Sequence, residues 1–517
     1  MHPKDILKPA SIEAGKATVD RLSAVLSVAF GAALLASNNW FPAVDDECAI
    51  VDRAAKPLSQ TIQLYVRGIG EHEHPPLYDI ILHGWLRLTG GEIHLLRIPA
   101  ILFFVLGTWI LAKVAKRLSG SGSQTWVVFL VLLWPFGFHF GRLAAWYSFC
   151  FFLVSLLTST YFKYMDQRTL LNWICVFLSA LALVYSNYFG WALIACLGLD
   201  FVLRDRRDLV KSWRPLLGMG ILLFTANLPI LGPFLREIHH GIRPSHSVVA
   251  TVFLGIYNLY CMFVSESVAP WFWLLGVPAG VAILICLLLV FLHAPVQARH
   301  FLLYFAFLLA AMTLLGIATT KRTLLISAWL ILPIGSTLGT VTQQPDRRTL
   351  LASLALVAVI GWYGILSRDL YAAPHWIEPW QAVARQAASV VREGGTVIGN
   401  NPSFFFYLTY SLPIKNCAHG GFAGLLPNSV RRDSVYDPQQ WIEAGRHARP
   451  TTLLVMGSDY GFPTAPTEET EEWLNQHCNL LDSQLMVHDP GAGWKQRFAP
   501  TISQPEWRVE VRKYGCQ

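Results

Sequence analysis

The chain has 517 residues, of which 54% are hydrophobic and only 14% charged, with a formal net charge of +7. Soluble globular chains carry nearer a quarter of their residues as charges. The deficit falls in long apolar runs, which excludes a purely soluble protein and points to an integral membrane one. No basic patch interleaved with stacking aromatics accompanies the positive charge, so it marks cytoplasmic loops and excludes a nucleic-acid partner.

The first apolar run, Leu22 to Trp40, follows a polar lead longer than a usual signal-peptide n-region and reads as a retained anchor. Further runs long and apolar enough to span follow, giving candidates at 21–41, 95–113, 124–140, 147–164, 170–188, 189–203, 214–232, 271–292, 300–318, 322–340 and 349–366, about eleven in all. A twelfth apolar stretch, 250–264, reads as re-entrant or interfacial. Basic residues cluster before the first run (Lys4, Lys8, Lys16, Arg21), after the second (Lys113, Lys116, Arg117) and after the sixth (Arg204, Arg206, Arg207, Lys211), all on one side. That side is expected to be the cytoplasm. The stretch Asp45–Arg97 and everything after Ser367 then lie outside. Residues 1–370 are read as a transmembrane domain with an outer catalytic loop at 42–97, and 371–517 as an extracytoplasmic α/β domain.

In that second region Trp380, Val383, Ala384, Ala387, Val390 and Val391 recur at helical spacing, up to Gly394-Gly395. Strands are expected at Thr396–Gly399, Thr451–Met456, Leu485–His488 and Trp507–Tyr514, with a helix over Pro466–Cys478 whose early glutamates suit the helix dipole. No cysteine pair has CxxC spacing, so zinc and redox motifs have no support. Of Cys417, Cys478 and Cys516, any two could be bridged in an outer domain.

The outer loop holds the chemistry-bearing residues. Asp45-Asp46-Glu47 follows the interfacial aromatics Trp40-Phe41, and a carboxylate held there can take a proton from an attacking hydroxyl. Glu71-His72-Glu73-His74 offers acid–base and metal-ligand types without a known metal spacing. Pro75-Pro76 suits a helix start, which would put His74 beside free N–H groups suited to a phosphate. Arg97, Arg142 and Arg322 fall at the outer ends of spans; each could hold a phosphate in place or anchor a headgroup. Lys321-Arg322 breaks the positive-inside pattern.

These segments resemble a bacterial family 39-like glycosyltransferase, a GT-C fold membrane enzyme related to protein O-mannosyltransferases and the lipid A aminoarabinose transferase. The matching segments are Asp46-Glu47, His74-Pro-Pro-Leu-Tyr78, Leu96-Arg-Ile-Pro-Ala100, Arg142 to Tyr147, Tyr185-Ser-Asn-Tyr-Phe-Gly190 and Trp380 to Arg385. The resemblance implies a polytopic α-helical membrane protein with a polyprenyl-phosphate-linked sugar donor. It implies Asp46 as general base, with Glu47 beside it. His74 is implied to lie near the donor phosphate, and Tyr78, Arg97, Arg142, Tyr147 and Arg322 are read as further substrate-binding residues. Glu73 is the one candidate ligand for a divalent metal ion; no other cofactor is implied. The chain departs from the pattern at Ala145, where relatives carry Arg, and at Asn187, where some carry His. The expected function is inverting sugar transfer at the outer face of a bacterial inner membrane, with membrane lipids around it. The alternatives are a transporter or flippase, and a non-catalytic protein that binds the carrier lipid.

Overall fold

The computed structural model describes residues 10–38, 45–67, 74–89, 93–204, 209–241, 248–268, 270, 272–341 and 344–366, then 386, 389–390, 396–399, 451–457, 468–487 and 508–516. The chain divides into two compact units. One comprises 1–38, 53–88 and 96–371; the other comprises 39–52, 89–95 and 372–517.

Among its described residues the larger unit forms helices and no strand. Its helices are α1 (Ala10–Ala36), the far end of α2 (Asp45–Ala55), α3 (Leu58–Arg67), α4 (Leu77–Thr89) and, after the short α5 (Ile93–Leu96), α6 (Ile98–Ser119). There follow α7 (Ser121–Leu132), α8 (Pro135–Phe140), α9 (Trp146–Asp166), α10 (Leu170–Val184), α11 (Gly190–Arg204), α12 (Leu209–Ala226) and α13 (Leu228–Gly241). The last are α14 (Val248–Val264), α15 (Trp273–His293), α16 (Val296–Leu314), α17 (Leu324–Thr340) and α18 (Gln344–Leu366).

Among the described residues five helices are long and apolar enough to cross a membrane: Ile98–Ser119, Trp273–His293, Val296–Leu314, Lys321–Thr340 and Pro345–Leu366. The number rises to six if Trp213–Ala226 and Leu228–Arg236, bent by 71°, form one span. Two of the eleven expected runs are broken locally. The run 124–140 is broken because Pro135 opens α8 and pushes Trp134 into extended backbone, with φ −81° and ψ 108°. The run 214–232 bends at Asn227, whose Nδ2 donates back to Leu223 O at 2.7 Å. The apolar stretch 250–264 forms α14, a 17-residue helix.

α17 is the buried axis of the bundle, packed by α6, α7, α9 and α16. It approaches α7 through Gly335 and Gly339, where an added Cβ would overlap Val127 and Ser123 Oγ. Four-residue spacing of small side chains lets helix backbones come together in a membrane, where van der Waals packing rather than the hydrophobic effect drives association. Trp329, fully buried on α17, donates from Nε1 to Thr158 Oγ1 at 3.0 Å. It packs on Phe301, with ring centroids 5.3 Å apart.

A second fixed point is the carboxylate of Asp200, which is fully buried in an otherwise apolar helix. It accepts from Tyr161 Oη at 2.6 Å and from Arg204 Nε at 2.5 Å. Tyr304 Oη and His300 Nδ1 lie 3.3 Å away. One acid thereby joins α9, α11 and α16.

The smaller unit carries a four-stranded sheet of order β1-β2-β4-β3, with β1 Thr396–Gly399, β2 Thr451–Gly457, β3 Cys478–Val487 and β4 Arg508–Cys516. β1 and β2 are parallel; the other pairs are antiparallel. The helix α19 (Glu468–His477) precedes β3 directly. β3 starts well before the expected Leu485, because a bulge between Leu480 and Asp482 breaks its alternation. Cys478 is disulfide-bonded, and Cys516 stands opposite it in the register. Cys417 and most of the expected helix at 380–391 lie outside the described residues; Gln386, Ser389 and Val390 are helical.

Replacing Asp200 by Ala strands Arg204 and two tyrosine hydroxyls in the bundle, and should lower stability by roughly 3–5 kcal/mol. Thermal unfolding of the full chain in detergent measures it; Asp200→Asn should lose less.

Candidate active site

Asp45, Asp46 and Glu47 form the first turn of α2, where a helix dipole favours acids. The Glu47 side chain is fully buried. At the other end of the helix, Arg53 Nε donates to Asp79 Oδ2 at 3.0 Å and Ala54 O meets His83 Nδ1 at 2.7 Å. Both partners sit on α4 one turn apart. Burial holds the Asp79 carboxyl above the usual carboxylate range, against the pull of Arg53.

The second segment begins at His74, half-buried, followed by Pro75-Pro76 and then α4. The prolines end the preceding chain path and start the helix, as their fixed φ and missing N–H favour. Leu77 N, the first free donor after them, is taken by Tyr185 O at 3.1 Å. The His74 ring lies 4.5 Å from the Trp146 ring, which in turn lies 4.3 Å from Tyr147. Tyr78, buried, packs on Phe149 at 5.9 Å. The His74–Tyr78, Arg142–Tyr147 and Tyr185–Gly190 segments thus meet. Asn187 accepts from Phe189 N at 2.9 Å and shapes the turn into α11. Tyr185 Oη donates to Ala226 O at 2.7 Å, beside the bend.

Arg97 and Arg142 are both buried, at 1% and 0% exposure. Arg97 caps α6 and donates from Nη1 to Asn38 O at 2.7 Å. Arg142 donates from Nη1 to Ser37 O at 2.6 Å and from Nε and Nη2 to Phe138 O at 2.9 and 2.7 Å. It also covers the Phe138 ring at 4.0 Å. Two cations therefore hold consecutive carbonyls at the C-terminal end of α1, the negative end of its dipole. A phosphate would compete with these carbonyls for Arg142.

Arg322 belongs to a different grouping. It lies in the 3-10 turn Lys321–Thr323, half-buried, ahead of α17. The preceding Thr320 donates from Oγ1 to Asn258 Oδ1 on α14 at 3.2 Å. Glu73 lies outside the described residues, among which no group of three or more His, Cys, Asp or Glu could hold a metal ion. The sequence reading did not single out Arg53, Asp79, His83 or Asp200. The available signal was an acid inside an apolar helix, at Asp79 and at Asp200.

Arg142→Lys keeps the charge but cannot span two carbonyl sites with one planar fork. It should cost about 2–3 kcal/mol, the value of a lost charge-assisted hydrogen bond, read as a lower unfolding temperature in detergent.

Residues 73–231 match the family model described as dolichyl-phosphate-mannose-protein mannosyltransferase. That stretch holds His74, Tyr78, Arg97, Arg142 and Tyr147, and starts beyond Asp46. No curated protein matches the chain by sequence. Among solved structures, the crystal structure of ArnT from Cupriavidus metallidurans bound to undecaprenyl phosphate aligns with a TM-score of 0.57 at 13% identity, covering 95% of this chain and 97% of that one. The apo state of the same protein aligns with a TM-score of 0.52 at 14% identity and the same coverage. The expected fold class is borne out, though not its count of spans: the chain is a multi-pass membrane protein with the GT-C fold, and residues 73–231 match the mannosyltransferase family model.

Proposed function

We propose that the chain is a glycosyltransferase that moves a sugar from a polyprenyl-phosphate donor to a lipid, glycan or protein acceptor at the outer face of a bacterial inner membrane. The observation that carries this reading is the meeting of the His74–Tyr78, Trp146–Tyr147 and Tyr185–Gly190 segments within a GT-C fold. The ArnT structure with undecaprenyl phosphate supports a carrier lipid of that class. The two-domain reading, 1–370 and 371–517, belongs to the same proposal.

In the reaction the acceptor hydroxyl oxygen bonds to the anomeric carbon from the face opposite the phosphate. The bond between carbon and phosphate oxygen breaks, and its electron pair leaves with the polyprenyl phosphate. The acceptor proton passes to Asp46, with Glu47 beside it in the same helical turn. His74, Tyr78, Tyr147 and Arg322 are assigned to the donor, where cations offset the charge growing on the leaving phosphate. Arg97 and Arg142 are assigned to the donor as well, their charges offsetting that of the leaving phosphate in competition with the carbonyls at the end of α1. A divalent ion at Glu73 would act on the phosphate in the same sense.

The disulfide at Cys478 fits an oxidising compartment. A periplasmic reporter joined after Gln517 should therefore be active and a cytoplasmic one silent; the reverse overturns the topology. Asp46→Asn should slow release of undecaprenyl phosphate from its labelled sugar conjugates by about 10²–10⁴-fold. Carrier-lipid binding should be unchanged. Near-wild-type release by the variant removes Asp46 from the base role. A wild type that binds the carrier but releases none from any conjugate is the non-catalytic protein.

A further inference from the structure

An apolar cavity of ≈ 240 Å³ lies between α7, α14, α17 and α18, and no charged side chain lines it. An apolar cavity of about 150 Å³ holds a benzene-sized molecule, so this one takes a longer stretch of hydrocarbon. α7 packs on α6 and α17, while α18 packs on α14 and α15. The cavity is the space left between α7 and α18, and Ala355 and Ala358 on α18 are too small to fill it.

One end of the cavity is closed. Trp134 donates from Nε1 to Met262 O at 2.6 Å, and Trp362 donates from Nε1 to Leu133 O at 2.8 Å. One side is open, for Phe129 and Leu133 line the cavity and are still 39% and 41% exposed. α18 is long and apolar enough to cross a membrane, so this opening meets lipid chains. Left empty, it would forfeit the dispersion contacts of its walls.

The other end is cationic. Arg347 stands one turn before Leu351, a lining residue, and lies 5.7 Å from the ring centroid of Trp126, another. Arg348 is exposed beside it. Among the described residues neither has an acidic partner; Asp346, in the same turn, meets His293 Nε2 at 3.3 Å instead. From Arg347 to Ala358 a helix rises about 16 Å, close to half the hydrocarbon core of a bilayer. The charges thus stand at headgroup depth and the cavity at the depth of one leaflet's chains.

We infer that this cavity binds an anionic phospholipid of the leaflet at the Arg347 end. One acyl chain lies between α7 and α18, and the phosphate meets Arg347 and Arg348, whose planar guanidinium groups suit it. The polyprenyl carrier is the wrong occupant. Its phosphate is assigned beside Trp146, beyond the end that Trp134 and Trp362 close, and the phospholipid site stands whether or not the chain transfers a sugar.

The test uses the full chain, delipidated in detergent, and a phosphatidylglycerol with a diazirine midway along one acyl chain. Photolysis should label residues 126–133 and 351–358. Dioleoyl phosphatidylglycerol should compete at least tenfold better than dioleoyl phosphatidylcholine. Arg347→Gln with Arg348→Gln should weaken binding at least tenfold, since each basic residue at a lipid surface is worth about fivefold. Ala355→Phe, which fills the cavity, should remove the label from both segments. Equal competition by the choline lipid overturns the anionic headgroup, and label confined to other segments overturns the cavity. Displacement by undecaprenyl phosphate at lower concentration than by phosphatidylglycerol makes the cavity a carrier groove and overturns the assignment. If Ala355→Phe does not fold, the labelled segments of the wild type and the arginine variant decide.

Discussion

Two buried guanidinium groups at the end of α1 are the constraint on which one end of the helical unit depends. A helix ends with carbonyls that have no partner of their own, and inside a membrane protein such groups are costly to leave bare. Arg142 takes Ser37 O and Arg97 takes Asn38 O. One arginine opens α6 and the other lies between α8 and α9. Three stretches far apart in sequence are therefore pinned at one point. Along the sequence, the acidic turn of α2 is the next described element after it.

The far ends of the helices are fixed by a different device. There the single carboxylate of Asp200 gathers two tyrosine hydroxyls, an arginine and a histidine from three helices. Between the two polar anchors, contact is apolar and steric, as where Gly335 and Gly339 bring α17 against α7. Where the motif segments meet, the side chains are aromatic and half-polar instead: His74 on Trp146, Tyr78 on Phe149. Except for the half-buried His74, these rings are buried, so the segments are held together by aromatic packing.

Much of this was legible in the residues. Apolar runs located most helices, since bilayer length and hydropathy leave few other options. Pro75-Pro76 marked the start of α4. The breaks were harder to see. Pro135 sits in a run whose composition reads as one span, and only its backbone restriction divides α7 from α8. β3 escaped for a related reason: a bulged strand with exposed Leu480 and Leu481 shows no period of two. Asn187, where some relatives carry histidine, builds a local turn, a role that its residue type allows but its position in a motif conceals.

The sequence by itself determined that the chain is a polytopic membrane protein, because hydropathy and local propensity act over short stretches, while its GT-C type was implied by the resemblance of its motif segments. Only the tertiary structure decided which charges are spent on the fold. Nothing in the order of residues shows that Arg97 and Arg142 donate to the end of α1, 59 and 105 positions back along the chain. Arg53 and Asp79 had no visible relation, yet they pair across 26 positions of sequence. A charge shows its type in the sequence, but its partner is chosen by the folded chain, because electrostatic and hydrogen-bond energies depend on distance and burial rather than on order along the backbone.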